Sequence, residues 1–105
     1  MKLQYTPEAI RDLTDIKRYI SENLSNPKAA ERIIQKIMRS CSQLKRFPQS
    51  GFSLGAMMGQ DTDLRVIVCE NYLALYRLEE GLVSIARIVN GRQDYIVQLF
   101  GEDGI

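Results

Sequence analysis

The sequence predicts an α+β fold in which an antiparallel helical hairpin packs on an antiparallel β-meander sheet. Two amphipathic stretches, with apolar residues every three or four positions, follow each other in the first half of the chain. Three β-rich runs at hairpin distance fill much of the second half, and a stretch rich in glycine and small polar residues separates the halves. The 105 residues are the size of one domain, so we expect a single unit over 1–105.

The first element is a short strand that leads directly into a helix. Polar and apolar residues alternate over 2–5, after which Thr6 is placed to cap a helix and Pro7 to occupy its first turn. One helix face is apolar, and Tyr19 borders it. The residues that we place on this face are Ala9, Leu13, Ile16, Ile20 and Leu24.

The second helix begins after the break Ser25-Asn26-Pro27, with Asn26 as its cap, and is expected to run to about Phe47. Its inward residues are Ala30, Ile33, Ile34, Ile37, Cys41 and Leu44. Neither helix can bury its apolar stripe alone. The two helices are therefore predicted to form an antiparallel hairpin with a shared seam.

Residues 49–63 show no sustained period and are predicted to form a loop. Strands are predicted at 64–69, 72–78 and 82–89, joined by short turns as a meander. These strands are apolar on both faces, so the hairpin is expected to cover one face and another segment the other. Residues 94–100 are a candidate for that second cover, as a short helix or an extended tail.

Composition excludes several classes of function. The net charge is +1, the sequence has no histidine, and its two cysteines lie in the interiors of a predicted helix and strand. We therefore expect no metal site, no cofactor, buried reduced cysteines and a cytoplasmic location. The sequence also has neither a membrane span nor a signal peptide, so we expect no membrane partner.

Charged residues on the helices are interpreted first as solvated surface. Four cations form one edge of the second helix, which suits either an acidic partner or phosphates but is more typical of an exposed face. They are Lys28, Arg32, Lys36 and Arg39, with Lys45 and Arg46 near the end of the helix. The first helix carries carboxylates that we place on its outer side as weak ion pairs. They are Glu8, Asp12, Asp15 and Glu22.

The strand arginines and tyrosines are the remaining residues that can carry chemistry. Arg65 and Arg87 are candidates either for ligand contact or for structural ion pairs. Tyr72 and Tyr76 share one face of their strand, where packing is the expected role. The sequence contains no phosphate-binding glycine loop and no catalytic triad, so we expect no small-molecule substrate.

Five local patterns occur in order over nearly the whole chain. They are Tyr5-Thr6-Pro7-Glu8-Ala9 with Asp12-Leu13 and Ile16; Leu44-x-x-Phe47-Pro48-x-x-Gly51; Asp63-Leu64-Arg65; Tyr72 with Tyr76-Arg77; and Ile85-x-x-Ile88-x-x-Gly91-Arg92-x-Asp94-Tyr95. With these patterns the sequence resembles the RelE/ParE toxin superfamily. The resemblance implies the fold predicted above and a toxin of a type II toxin–antitoxin system.

The superfamily contains ribosome-dependent mRNA endonucleases and ParE-like inhibitors of DNA gyrase. The positions at which the endonucleases carry catalytic cations resemble those of Leu64, Val66 and Leu73 here, and only Arg92 falls where a catalytic arginine is expected. Metal-free phosphoryl transfer needs several cations around the developing charge, which leucine and valine do not supply. The chain therefore resembles the ParE-like branch, and we expect a binding protein with no catalytic residues.

This resemblance implies DNA gyrase as the target and a cognate antitoxin as the partner, with direct nucleic-acid binding expected only inside the antitoxin complex. The expected antitoxin-binding residues are Leu13, Ile16, Tyr19 and Ile20, and the expected target-binding residues are Arg92, Asp94, Tyr95 and Phe100. Two alternatives stay open. One is an mRNA endonuclease that uses Arg65, Arg87, Arg92 and Tyr95, and the other is a non-toxic member that acts only as a binding partner.

Overall fold

The computed structural model of the chain describes residues 1–59 and 61–91. Its elements follow in the order β1 (Lys2–Tyr5), α1 (Pro7–Arg18), α2 (Pro27–Ser42), β2 (Phe52–Ser53), α3 (Leu54–Met58), β3 (Arg65–Cys69), β4 (Tyr72–Glu79) and β5 (Leu82–Asn90). The predicted α+β fold, with a helical hairpin on a meander, is confirmed. The predicted cover at 94–100 lies outside the described residues.

Both long helices begin at the predicted caps. The Thr6 side chain accepts a hydrogen bond from the Ala9 amide at 3.1 Å, and the Asn26 side chain accepts one from the Ala29 amide at 3.1 Å. A proline occupies the first turn of each helix, where its missing N–H leaves no bond unmade. Short polar residues at these two positions therefore determine where the hairpin begins and where it turns.

The ends of the helices depart from regular α geometry. After Arg18, α1 continues as a π-helical turn over Tyr19–Asn23, and α2 tightens into a 3₁₀ turn over Gln43–Lys45. Wider winding in the π turn shifts the register of the following residues. As a result Leu24 is 58% exposed, and the prediction that it extends the apolar face of α1 is wrong.

The five described strands form one sheet in the order β1-β5-β4-β3-β2. The meander β3-β4-β5 is antiparallel, as predicted, while β1 lies parallel to β5 with Lys2 opposite Leu82 and Tyr5 opposite Ile85. A register shift between Leu75 and Tyr76 of β4 marks a β-bulge in the pairing with β5. The first strand of the chain is thus placed beside the last described strand.

The sheet has an apolar layer on each face. The larger layer, beneath the hairpin, contains Ala9, Ile37, Cys41, Leu44, Cys69, Ala74, Tyr76, Val83, Ile85 and Ile88. The smaller layer contains Leu54, Leu64, Val66, Leu75 and Val89. Leu54 and Leu64 come from residues flanking the meander, so this segment supplies part of the second cover that the two-sided apolar strands predicted.

The prediction that 49–63 is all loop is wrong in part, because β2 and α3 lie within it. The side chain of Ser53 caps α3 by accepting a hydrogen bond from Ala56, and Gly59 ends the helix at a φ of 68°. A two-residue strand and a five-residue helix are too short to produce a visible period. Only their cap residues marked them in the sequence.

Candidate binding surfaces and the strand arginines

The four residues expected to bind an antitoxin lie on the hairpin, but they differ in exposure. Leu13 and Ile16 are partly buried against the core, and Ile20 is 7% exposed. Tyr19 is 54% exposed. Core packing therefore uses most of the surface of three of the four, and Tyr19 is the residue of this set with a large apolar surface open to a partner.

Tyr19 and Leu24 stand at the two ends of the π turn, and we call these two exposed residues the hairpin tip. Their exposure has one cause, because the π turn widens the helix where its apolar stripe would otherwise continue inward. Sequence reasoning placed Leu24 in the core because it assumed an unbroken 3.6-residue period. The hairpin tip is thus a feature of the backbone as much as of residue type.

A second surface lies where α2, the loop before β2 and the outer edge of β3 meet. A cleft of about 360 Å³ is lined there by Ser40, Gln43, Ser50, Gly51, Phe52, Val66, Ile67 and Val68. Val68 is 63% exposed, and β2 covers β3 only at Arg65 and Val66. We call this feature the β3-edge cleft. Its residues come from distant segments of the chain, so no local pattern announced it.

The cations of α2 border the side of the molecule that carries the β3-edge cleft. Lys36 forms an ion pair with Glu70 at 3.0 Å, and the guanidinium of Arg46 lies 5.6 Å from the centre of the Phe47 ring. Lys28, Arg32 and Arg39 are exposed. Among the described residues no carboxylate pairs with these last three, which agrees with the expected solvated edge and leaves their charge open to an acidic partner.

Asp12 has a structural role that the sequence interpretation missed. Its carboxylate accepts bonds from Arg87 Nε at 2.7 Å, from Arg87 Nη2 at 3.1 Å and from the Ile88 amide at 2.9 Å. The Asp12 side chain is only 15% exposed, so the prediction that it belongs to the outer side of α1 is wrong. Its hydrogen bond raises the pKa of Arg87 and holds that guanidinium at the edge of β5.

The other two arginines of β3 and β4 are also held by local partners. Arg65 Nη2 donates to the carbonyl of Gln49 at 3.1 Å and to that of Gly51 at 2.6 Å. Arg77 Nε donates to Asp63 at 2.9 Å. These contacts fix the loop before β2 and the segment before β3. Each strand arginine of the described chain therefore has a partner within the fold.

The residues of the alternative endonuclease site are not brought together. Arg65 lies opposite Tyr76 and Arg87 lies opposite Leu75, which are adjacent residues of β4. Because adjacent strand residues point to opposite faces, the two arginines belong to opposite faces of the sheet. Arg92 and Tyr95, and the target-binding residues Arg92, Asp94, Tyr95 and Phe100, lie outside the described residues.

The three aliphatic residues at the positions of endonuclease cations are part of the smaller apolar layer. Val66 is fully buried and Leu64 is 7% exposed, while Leu73 packs against the same layer. A lysine or arginine at Val66 would have to leave its charge in this layer without a partner, which is strongly unfavourable. The fold thus uses these positions for packing.

Within residues 1–59 and 61–91, no group of Asp, Glu, Cys or His is arranged to hold a metal ion. Over the same part of the chain, no helix has the length and apolar character needed to cross a bilayer.

Comparisons with known proteins agree with this geometry. A family model described as the ParE toxin of type II toxin-antitoxin system, parDE, matches residues 3–95. Among solved structures, a chain from the chromosomal ParDE TA system from P. aeruginosa is similar with a TM-score of 0.74 and 22% sequence identity. That similarity covers 88% of this chain and 97% of the other. No curated protein matches the sequence.

Proposed function

Since the chain belongs to the ParE toxin family, we propose that it is the toxin of a type II toxin–antitoxin pair that inhibits DNA gyrase by direct binding and is neutralised by a cognate antitoxin. On this proposal it works in the cytoplasm, where gyrase acts on the chromosome. The antitoxin is the partner that keeps it inactive until the antitoxin is lost.

One observation carries the non-enzymatic part of this proposal. The strand arginines Arg65, Arg77 and Arg87 are each bound to groups of the fold, and the first and last belong to opposite faces. Stabilising a phosphoryl transition state without a metal requires cations that converge on one point. Arginines that are dispersed and already engaged favour binding over RNA cleavage.

The hairpin tip and the β3-edge cleft are the surfaces that we assign to the antitoxin. Tyr19 and Leu24 offer exposed apolar side chains to a helix, and the cleft offers the outer edge of β3 at Val68 to an extended segment. The unpaired cations Lys28, Arg32 and Arg39 favour an acidic segment. The antitoxin-binding set Leu13, Ile16, Tyr19 and Ile20 is therefore narrowed to Tyr19, with Leu24 added.

The gyrase-binding role is assigned to Arg92, Asp94, Tyr95 and Phe100, which follow β5 in the sequence. This assignment rests on the family resemblance. A pair of aromatic residues beside an ion-pairing couple has the composition that protein interfaces favour.

The activity is tested with purified toxin in two parallel assays. In the first, gyrase supercoils relaxed plasmid in the presence of increasing toxin, and we expect loss of supercoiling together with accumulation of cleaved plasmid bound to gyrase. In the second, primer extension on ribosome-bound message is expected to show no new cuts. Codon-phased cuts in the message with normal supercoiling would refute the proposal, and inactivity in both assays would favour the non-toxic alternative.

The antitoxin surface is tested with the small protein encoded beside this gene, co-expressed and purified with the toxin. Tyr19→Ala is expected to weaken the complex about tenfold or more, because exposed tyrosines are frequent anchors of interfaces. Ile10→Ala is the matched control, since Ile10 lies on the same helix and has the same exposure of 54%. Equal affinity of the two variants, measured by titration calorimetry, would exclude the hairpin tip from the interface.

A further inference from the structure

The two cysteines of the chain meet where α2 crosses β3. Cys41 is fully buried on α2, and Cys69, the last residue of β3, is 3% exposed in the same apolar layer. The Cys41 thiol donates a hydrogen bond to the Cys69 sulfur. The proposed toxin function uses neither sulfur, although cysteines in contact are the starting geometry for a disulfide.

The same crossing is held by two further contacts, so the sulfurs have little freedom to separate. One turn before Cys41, Lys36 of α2 pairs with Glu70, which follows Cys69 directly, at 3.0 Å. Ser40, the neighbour of Cys41, also hydrogen-bonds to the Cys69 sulfur. The helix and the strand end are therefore fastened on either side of the two thiols.

We propose that Cys41 and Cys69 are a redox site, in which hydrogen peroxide converts the thiol pair into a reversible disulfide that ties α2 to β3. The site is independent of the proposed toxin activity. It gives the fold a covalent link between the helical hairpin and the sheet, made and broken without any change in the residues that face a partner.

Cys69 is the sulfur that attacks the oxidant. The hydrogen bond from Cys41 lowers the pKa of Cys69, while the same bond and burial raise the pKa of Cys41. Ser40, which touches Cys69, also lines the β3-edge cleft, so that cleft gives a small oxidant a route to the pair. On the inner side the enclosed hydroxyl of Tyr5 lies against Cys41, and burial raises the pKa of that tyrosine, which keeps it neutral.

The chemistry proceeds in two balanced steps. The Cys69 thiolate attacks one oxygen of peroxide, the O–O bond breaks, and the hydroxide that leaves takes up the Cys69 proton as water, giving a sulfenic acid. The Cys41 sulfur then attacks the Cys69 sulfur, the S–O bond breaks, and the leaving hydroxide takes the Cys41 proton. Two thiols have lost two electrons and two protons, and peroxide has become two molecules of water.

The disulfide is expected to stabilise the folded chain. It closes a loop that runs from Cys41 to Cys69 and contains β2, α3 and the segment that Arg65 and Tyr76 hold. Shortening the accessible conformations of the unfolded chain over such a loop raises the melting temperature by on the order of 10 °C. Reduction by dithiothreitol returns the melting temperature to its starting value.

The test uses the full chain, treated in native buffer with a small excess of hydrogen peroxide. We expect both thiols to disappear in a denaturing thiol titration, the intact mass to fall by two hydrogen atoms, and peptide mapping to join Cys41 to Cys69. In Cys41→Ser the sulfenic acid on Cys69 is expected to accumulate and to react with dimedone. In Cys69→Ser, Cys41 is expected to stay reduced under the same treatment.

The unmodified sequence alone decides the outcome if a variant does not fold. Addition of oxygen to the intact mass without a peptide link, two thiols that persist, disulfide-bonded dimers as the main product, or a lower melting temperature in the oxidised chain would each overturn the proposal. Loss of both thiols with the internal link and the higher melting temperature would establish it, whatever the gyrase assay gives.

Discussion

The two sides of the sheet are closed by different chemistry. On the β1 side, α1 supplies Thr6, which donates to the Ala86 carbonyl at 2.8 Å, and Asp12, which accepts from the Ile88 amide. On the β2 side the direction is reversed, because Tyr76 and Arg65 reach from the strands to the backbone of the loop at 48–51. A helix thus closes one edge, and strand side chains hold a loop beside the other.

This difference explains where a partner has room. Where β1 ends, Asp12 and Thr6 occupy polar groups of β5 that a new strand would otherwise need. Where β2 ends, Val68 is left exposed above a cleft. A carboxylate and a hydroxyl therefore protect one edge from strand addition, while the loop at the other edge leaves an opening. Four substitutions test this contrast, from the largest expected effect to the smallest.

Gly51→Ala is expected to destabilise the loop side most. A Cβ at Gly51 would lie 2.5 Å from the Val66 carbonyl oxygen and 2.6 Å from the Tyr76 hydroxyl, so the backbone would have to move. We expect a loss of about 3 kcal/mol or more in the free energy of unfolding, measured with urea. In the control Gly59→Ala no atom lies within 4 Å of the new Cβ, and the positive φ alone should cost about 1 kcal/mol. Equal losses in the two variants would show that the loop is not tightly packed on the sheet.

Asp12→Ala is expected to open the β1 side. It leaves the Ile88 amide and the Arg87 guanidinium without their acceptor, at an expected loss of about 2–3 kcal/mol in unfolding free energy. Asp15→Ala is the matched control on the same helix, because its 3.9 Å contact with Arg18 is highly exposed and should contribute less than about 0.5 kcal/mol. Chemical denaturation of both variants separates the roles, and a loss below that of the control would contradict the edge-closing role of Asp12.

Tyr76→Phe removes one hydroxyl from the loop side. That hydroxyl accepts a bond from the Gly51 amide at 3.1 Å and donates one to the Pro48 carbonyl at 2.8 Å. We expect a loss of about 1–2 kcal/mol in thermal or urea unfolding, since the ring still packs while two backbone groups lose a partner. Tyr19→Phe, at an exposed position, should change stability by less than about 0.5 kcal/mol. An unchanged melting temperature for Tyr76→Phe would mean that water replaces the hydroxyl.

Glu70→Gln should have the smallest effect. The Lys36–Glu70 pair is short, but both side chains are more than a third exposed, so solvent screens the attraction to about 0.5 kcal/mol. The loss should shrink further in high salt. A loss above about 1.5 kcal/mol that persists in high salt would mean that this pair, and not apolar packing, fastens α2 to β3.

Residues with a sustained period or a local cap made most of the fold predictable from the sequence. Thr6, Asn26 and the alternating meander define their elements within a few positions, so the hairpin and three strands follow from short-range rules. The long-range contacts did not follow. Asp12 meets Arg87 and Tyr76 meets Pro48 across many residues, and no local pattern distinguishes Asp12 from the exposed Asp15 on the same helix.

The candidate surfaces were predictable only in part, for a related reason. Tyr19 stood at the border of the apolar stripe and is exposed, whereas Leu24 satisfied the α-helical period and was placed inside. The π turn that separates them is a backbone event without a strong sequence signal. The β3-edge cleft draws on α2, β2 and β3, and its existence depends on β2 covering only two residues of its neighbour.

The parallel pairing of β1 with β5 also has a consequence for synthesis on the ribosome. Lys2 is among the first residues to be made, yet its partner Leu82 emerges only when most of the chain has been translated. The helical hairpin can form early from local contacts, but the sheet that buries its apolar stripe is completed last. A nascent chain therefore presents an uncovered hairpin for nearly the whole of translation, and the finished fold arises only as the polypeptide is released.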